Sequence, residues 1–205
     1  MAPMLHIDPQ HPDRLHIERA ADVLKSGGVI IYPTDTIYGL GCDITNAEAI
    51  ERVQHIKGRD ANKPMSFVCA DLQDVDRYAQ VSPYARNLLA QCLPGAYTFV
   101  LSATEDAPSI LTTGQQTVGL RIPDHPVPRD LVLALGAPIL STSANFSTQE
   151  VITEPVDLQE QMGDLVDLII ECGSLPVQPS SVVSLVDDRA HVLRAGKGDL
   201  SPFGV

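Results

Sequence analysis

Short apolar runs bounded by glycine and proline alternate along this chain with amphipathic stretches of helical period, an interleaving that confines it to a sheet-and-helix fold. Gly28-Val29-Ile30-Ile31, Met65 to Cys69, Tyr97 to Leu101, Thr117 to Ile122 and Pro138-Ile139-Leu140 read as strands. Residues 17–25 carry Ile17, Ala20, Ala21 and Leu24 on one helical stripe, stopped by Gly27-Gly28. Thr45-x-x-Glu48 has the form of a capping box for a helix bearing Ile50, Val53 and Ile56. Ser82-Pro83 opens another helix through Leu88 and Leu89, and Pro126 to Leu135 a further one closed by Gly136. Asp167 to Glu171, Ser181 to Val186 and Ala190 to Arg194 finish the sheet, the last two as a hairpin around Asp187-Asp188. Helix-linked strands mixed with hairpin neighbours predict an α/β fold with a twisted, open, mixed sheet flanked by helices.

The length of 205 residues fits one large domain, and no repeat or low-complexity linker divides it. A net charge of −12 argues against a protein that coats nucleic acid through bulk electrostatics, though not against a local basic patch. Cys42, Cys69, Cys92 and Cys172 sit in or beside apolar runs, without metal-ligand spacing, and read as reduced core residues. The N-terminal residues lack the pattern of a signal peptide, and no apolar run approaches the ~20 residues of a membrane span. These features predict a soluble, cytoplasmic protein.

The apolar run ending at Ile31 empties into Tyr32-Pro33-Thr34-Asp35-Thr36-Ile37-Tyr38-Gly39-Leu40-Gly41. That brings two threonine hydroxyls to the C-terminal mouth of a buried strand, where open α/β sheets bind ligands. Lys57-x-Arg59-x-x-x-Lys63 concentrates three cations within seven residues of an acidic chain. Such a set suits phosphate, which Arg grips as a fork and Lys as a point charge. Compensation of a helix C-terminus is the competing reading. Ser141-Thr142-Ser143-Ala144-Asn145 offers hydroxyls for a small substrate and successive amides for an anion nest, or else a polar strand cap. Arg121, within an apolar strand, needs a partner: a substrate carboxylate or an internal acid.

Arg194-Ala195-Gly196-Lys197-Gly198 lacks the spacing of a P-loop, leaving Arg194 as a lone cation within reach of a nucleotide. His6, His11 and His16 do not share a helix face and read as solvated. His55 and His125 have no triad-like partners in sequence, so no acid–base role is assigned to them.

Taken in order, Pro33-Thr34-Asp35-Thr36-x-Tyr38-Gly39-Leu40-Gly41, Lys57-x-Arg59, Pro94-Gly95-x-x-Thr98, Gly119-x-Arg121-x-Pro123-x-His125-Pro126 and Ser141 to Asn145 form a specific series. The series resembles the YrdC-like family of threonylcarbamoyl-AMP synthases, over a single domain of roughly residues 10–200. The resemblance implies a concave basic cavity and a reaction in which L-threonine, bicarbonate and ATP, the last with Mg2+, give threonylcarbamoyl-adenylate and pyrophosphate. A downstream threonylcarbamoyl transferase then modifies tRNA. By motif match, Thr36, Arg121, Ser141 and Ser180 surround threonine. Lys57, Arg59, Lys63, Thr117, Ser143, Asn145 and Arg194 surround the nucleotide, and Lys57, Arg59 and Ser141 carry the catalytic work.

The chain departs from the family pattern at several points. Asp60 stands where many relatives have Pro, Val68 where several have a His near threonine, and Ser184 where Asp is usual. Phe146-Ser147-Thr148 replaces a Ser-Gly pair, and the N-terminus and residues 96–101 resemble the YciO branch more closely. The alternative that this branch implies is a tRNA or double-stranded RNA binder without efficient synthesis.

Overall fold

The structure, a computed structural model, describes residues 1–58, 65–111, 116–147 and 149–204. Its strands are β1 (Met4–His6), β2 (Ile30–Tyr32), β3 (Gly39–Asp43), β4 (Ser66–Val68), β5 (Tyr97–Ser102), β6 (Thr117–Arg121), β7 (Ile139–Ser143), β8 (Leu168–Glu171), β9 (Ser181–Ser184) and β10 (His191–Arg194). Its helices are α1 (Arg14–Lys25), α2 (Ala47–Lys57), α3 (Leu72–Tyr78), α4 (Pro83–Cys92), α5 (Pro126–Leu135) and α6 (Pro155–Met162). The strands form one open mixed sheet in the order β1-β8-β2-β3-β7-β4-β6-β5-β9-β10. Among the described residues, no helix is long and apolar enough to cross a membrane.

Strand alternation divides the apolar side chains between two layers. Ile31, Leu40, Phe67, Phe99, Leu120, Leu140, Ile169 and Val183 face the larger core, which α2, α3, α4 and α6 close. Their neighbours Ile30, Tyr32, Val68, Ile139, Leu168 and Ile170 face the other way, under Ile17, Ala20 and Leu24 of α1 and Val127, Leu131 and Val132 of α5. The cysteines form no disulfide, and burial raises each thiol's pKa, to about 12 for Cys42, so these residues are uncharged.

Helix ends follow local chemistry. Asp13 caps α1 by accepting from the Leu15 amide, and His125, Pro126 and the left-handed Gly136 bound α5. The capping box expected at Thr45 and Glu48 is corrected: Asn46 is the cap and accepts from the Ala49 amide, while Thr45 donates its hydroxyl to Asp43. The expected hairpin joins β9 to β10 in antiparallel pairing, with Asp187 and Asp188 at positive φ in its turn. Strands β1 and β3 and helices α3 and α6 have no counterpart in the elements expected from sequence.

Candidate ligand cavity

Helices α1 and α5 cover only part of their face of the sheet. The remainder is a cavity of about 740 Å³ floored by β7, β4, β6 and β5. Register builds the floor: Ser141 pairs with Ser66, Ser66 with Gly119, and Gly119 with Val100. By alternation Ser141 and Ser143 share a face with Ile139, and Ser66 shares one with Val68. The same strand faces are thus apolar beneath the helices and small or polar in the cavity.

Glycines fix one corner. Tyr32 of β2 opposes Gly39 of β3, and its ring lies across Gly39 and Gly41. A Cβ at Gly41 would stand 2.4 Å from the Leu140 carbonyl oxygen, so nothing larger fits. The ring's path delivers the Tyr32 hydroxyl to Ser141 Oγ, to which it donates at 2.6 Å. Burial raises the Tyr32 pKa to about 12, which keeps it a donor at neutral pH. Ser66 donates its hydroxyl to the Ser141 carbonyl at 3.1 Å, fixing the strand beside it.

The Thr34–Thr36 turn is held by its first hydroxyl. Thr34 Oγ1 donates to the Ile37 carbonyl at 2.6 Å and accepts from the Thr36 and Ile37 amides at 3.1 and 3.2 Å. This turn meets Arg121, whose Nη2 donates to Asp35, to Thr36 Oγ1 at 2.6 Å and to Thr34 Oγ1 at 3.4 Å. Of the two readings of Arg121, the internal acid is the partner present, and that acid is Asp35. Arg121 Nε is buried without a hydrogen-bond partner among the described residues, which leave the guanidinium incompletely satisfied on a surface that lines the cavity.

A second guanidinium closes the opposite wall. The β9–β10 ladder shifts between Val192 and Arg194, and both Leu193 and Arg194 reach the cavity rim. Arg194 Nη2 donates to the Ser180 carbonyl at 2.8 Å and to Ser180 Oγ at 3.2 Å. Ser180 Oγ lies 2.9 Å from Thr98 Oγ1. Partial burial, and then repulsion from Arg121, lowers the Arg194 pKa, as expected of two cations facing one space. The Gly196 amide donates to Ser181 Oγ and the Lys197 amide to the Pro179 carbonyl, so the 194–198 loop spends both on the protein itself.

Lys57, the last residue of α2, turns away from solvent and is 3% exposed. Its ammonium donates to the Ser143 carbonyl at 2.7 Å, to Asn145 Oδ1 at 2.8 Å and to the Asn145 carbonyl. Ser143 Oγ donates to Asn145 Oδ1 at 2.6 Å, completing a cluster at the end of β7. Of the readings the sequence left open for this segment, an anion nest does not form at Ala144 and Asn145. The Ala144 amide donates to the Tyr38 carbonyl and the Asn145 amide to the Ser143 carbonyl, leaving neither for an anion.

The expected site residues therefore fall into three groups. Thr117, Arg121, Ser141, Ser143, Ser180 and Arg194 line one cavity. Thr36 lies directly behind Arg121, and Lys57 and Asn145 behind Ser143. Arg59 and Lys63, with Asp60, lie outside the described residues. Val68 is wholly buried against the α1–α5 layer. Sequence reasoning missed Tyr32, Asp35, Ser66 and Gly119, although the period-two spacing of Gly119 and Arg121 would have assigned both to one strand face.

Comparison with known proteins follows the same outline. A family model for Sua5, YciO and YrdC proteins, described as "Telomere recombination", matches residues 22–196. The Escherichia coli K12 protein named "Uncharacterized protein YciO" is 36% identical over 205 residues, 99% of this chain and 100% of its own. The crystal structure of E. coli YciO superposes with a TM-score of 0.94 over 99% of this chain and 100% of that one. A Vibrio vulnificus threonylcarbamoyl-AMP synthase is 35% identical over 158 residues, covering 76% of this chain and 85% of its own. Pyrococcus abyssi Sua5 complexed with L-threonine is 28% identical, with a TM-score of 0.89 over 95% of this chain and 58% of that one.

Proposed function

The chain belongs to the Sua5–YciO–YrdC family, and from that premise we propose that its cavity joins L-threonine, bicarbonate and ATP into threonylcarbamoyl-adenylate, with release of pyrophosphate. The observation that carries this reading is the pairing of Arg121 and Arg194 across one hydroxyl-lined cavity. Relatives named threonylcarbamoyl-AMP synthase, and a Sua5 structure complexed with L-threonine, support the choice of substrates.

In this reading the threonine carboxylate binds at Arg121, which Thr36 and Asp35 orient, while Ser141 and Ser180 receive the polar groups of the amino acid. The threonine amine adds to carbon dioxide with loss of a proton, or to bicarbonate with loss of water, and an oxygen of the resulting carbamate attacks the α-phosphorus as the bond to pyrophosphate breaks. Such a transfer needs alignment and charge neutralisation, not a covalent enzyme intermediate. Arg194, Thr117 and Ser143 meet the nucleotide, together with Arg59 and Lys63. Lys57 and Asn145 hold the Ser143 corner in register, and Ser141, fixed by the Tyr32 hydroxyl, orients the carbamate. Magnesium would enter as part of the ATP complex, held by the nucleotide and water more than by protein carboxylates, and would supply neutralisation of phosphate charge beside Arg194. The product then passes to a transferase that modifies tRNA in the cytoplasm.

Purified protein given ATP, threonine and bicarbonate is expected to release pyrophosphate only when all three are present. Release that is indifferent to threonine, or absent at saturating substrate, overturns the reading.

A further inference from the structure

Gly39, Gly41 and Gly119 are the three glycines within the described strands, and only the first two are explained by packing. A Cβ at Gly39 would meet the Tyr32 ring at 3.0 Å, and one at Gly41 would collide with the Leu140 carbonyl. At Gly119 a Cβ would stand 3.5 Å from Ser66 Cβ and 3.5 Å from Thr98 Cγ2, which is ordinary van der Waals contact. Its φ lies outside the left-handed region. The ladders to β4 and β5 run through it without a bulge. A glycine inside a strand costs stability, and it marks a bulge, a sharp bend, or a site where another group comes close to the backbone. The regular ladders remove the first two, and the cavity above leaves no neighbour among the described residues to be the third.

We infer that Gly119 is a specificity-determining position, leaving room for the side chain of the amino-acid substrate. This deepens the reading of the cavity given above and rests on it. Arg121 follows two residues along the same strand and face, roughly 7 Å away. A carboxylate held by Arg121 therefore directs the rest of a small amino acid toward Gly119. The row through this glycine has opposite chemistry on its two sides: the Ser66 and Ser141 hydroxyls on one, and Val100 with the Thr98 methyl on the other. A side chain bearing both a hydroxyl and a methyl on one carbon matches that division. Threonine has both, and serine lacks the methyl.

The test compares threonine with serine as co-substrates in pyrophosphate release, using the full chain as wild type, Gly119→Ala, Val100→Ala and the double variant. Gly119→Ala is expected to melt no lower than wild type, because the added methyl meets no clash among the described residues. It is expected to reduce the threonine-over-serine preference in kcat/KM about tenfold or more, with the KM for ATP unchanged. Val100→Ala, which opens the same corner from β5, is expected to restore part of that preference in the double variant. An unchanged preference, a rise in the KM for ATP instead, or a lowered melting temperature each overturns the inference while wild-type turnover leaves the proposed reaction standing. A wild type that turns over with neither amino acid removes the reaction and this inference together.

Discussion

Arg121 is the side chain on which the sequence left two partners open, and Asp35 is the internal one. Both are nearly buried, with side-chain exposures of 9% and 8%, so little solvent screens the pair. Removing one member of a buried pair strands the other charge, at a cost of about 3–5 kcal/mol. Asp35→Ala is therefore expected to lower unfolding free energy by that order in urea titration, and to raise the KM for threonine more than that for ATP. Asp35 was visible in the sequence only as a letter inside a motif. Its partner lies 86 positions away, and no local pattern joins the two. The Lys57 cluster was hidden for the same reason. A lysine at a helix end resembles dipole compensation until the fold delivers the carbonyls of Ser143 and Asn145 to its ammonium.

Among the elements, legibility tracked period and punctuation. Runs rich in Val, Ile and Leu, such as those that became β2, β5 and β6, announced themselves, and Ser82-Pro83 and Pro126 marked helix starts. Strand β3 did not, because Gly39 and Gly41 carry no apolar signal and are chosen to clear the Tyr32 ring. Strand β7 ran on through Ser141 to Ser143, beyond the apolar run that marked it, and the polar residues there line the cavity. The start of α2 shows how two plausible caps compete. Asn46→Ala is expected to cost about 1 kcal/mol, whereas Glu48→Ala, whose box does not form, should cost far less. Paired denaturation curves for the two variants check the assignment.

For the molecule as a whole, the mixed sheet was legible because its strand and helix signals interleave, while the strand order was not. Order depends on which edges pair across long separations, as when β8 inserts between β1 and β2. Global stability should carry the signature of one half-buried histidine. Burial lowers the His125 pKa below its ordinary 6.5, outweighing the opposite pull of Asp35 and Asp124. As pH falls below 6.5, the unfolded chain takes up that proton before the folded one, so stability declines until the folded pKa is passed. His125→Asn keeps a capping acceptor for the Val127 amide and is expected to flatten this slope. Urea unfolding at about pH 7.5 and about pH 5.5 measures it.

The two guanidiniums stand on unequal footings. Arg121 belongs to an interior strand gripped on both flanks, whereas Arg194 belongs to β10, an edge strand whose one strand neighbour among the described residues is β9. Any anion that touches both becomes a strut from the anchored middle of the sheet to one of its edges. That edge gains most from such bracing, so occupancy should register there first, as slowed exchange of the β10 amides, before the already rigid floor records any change.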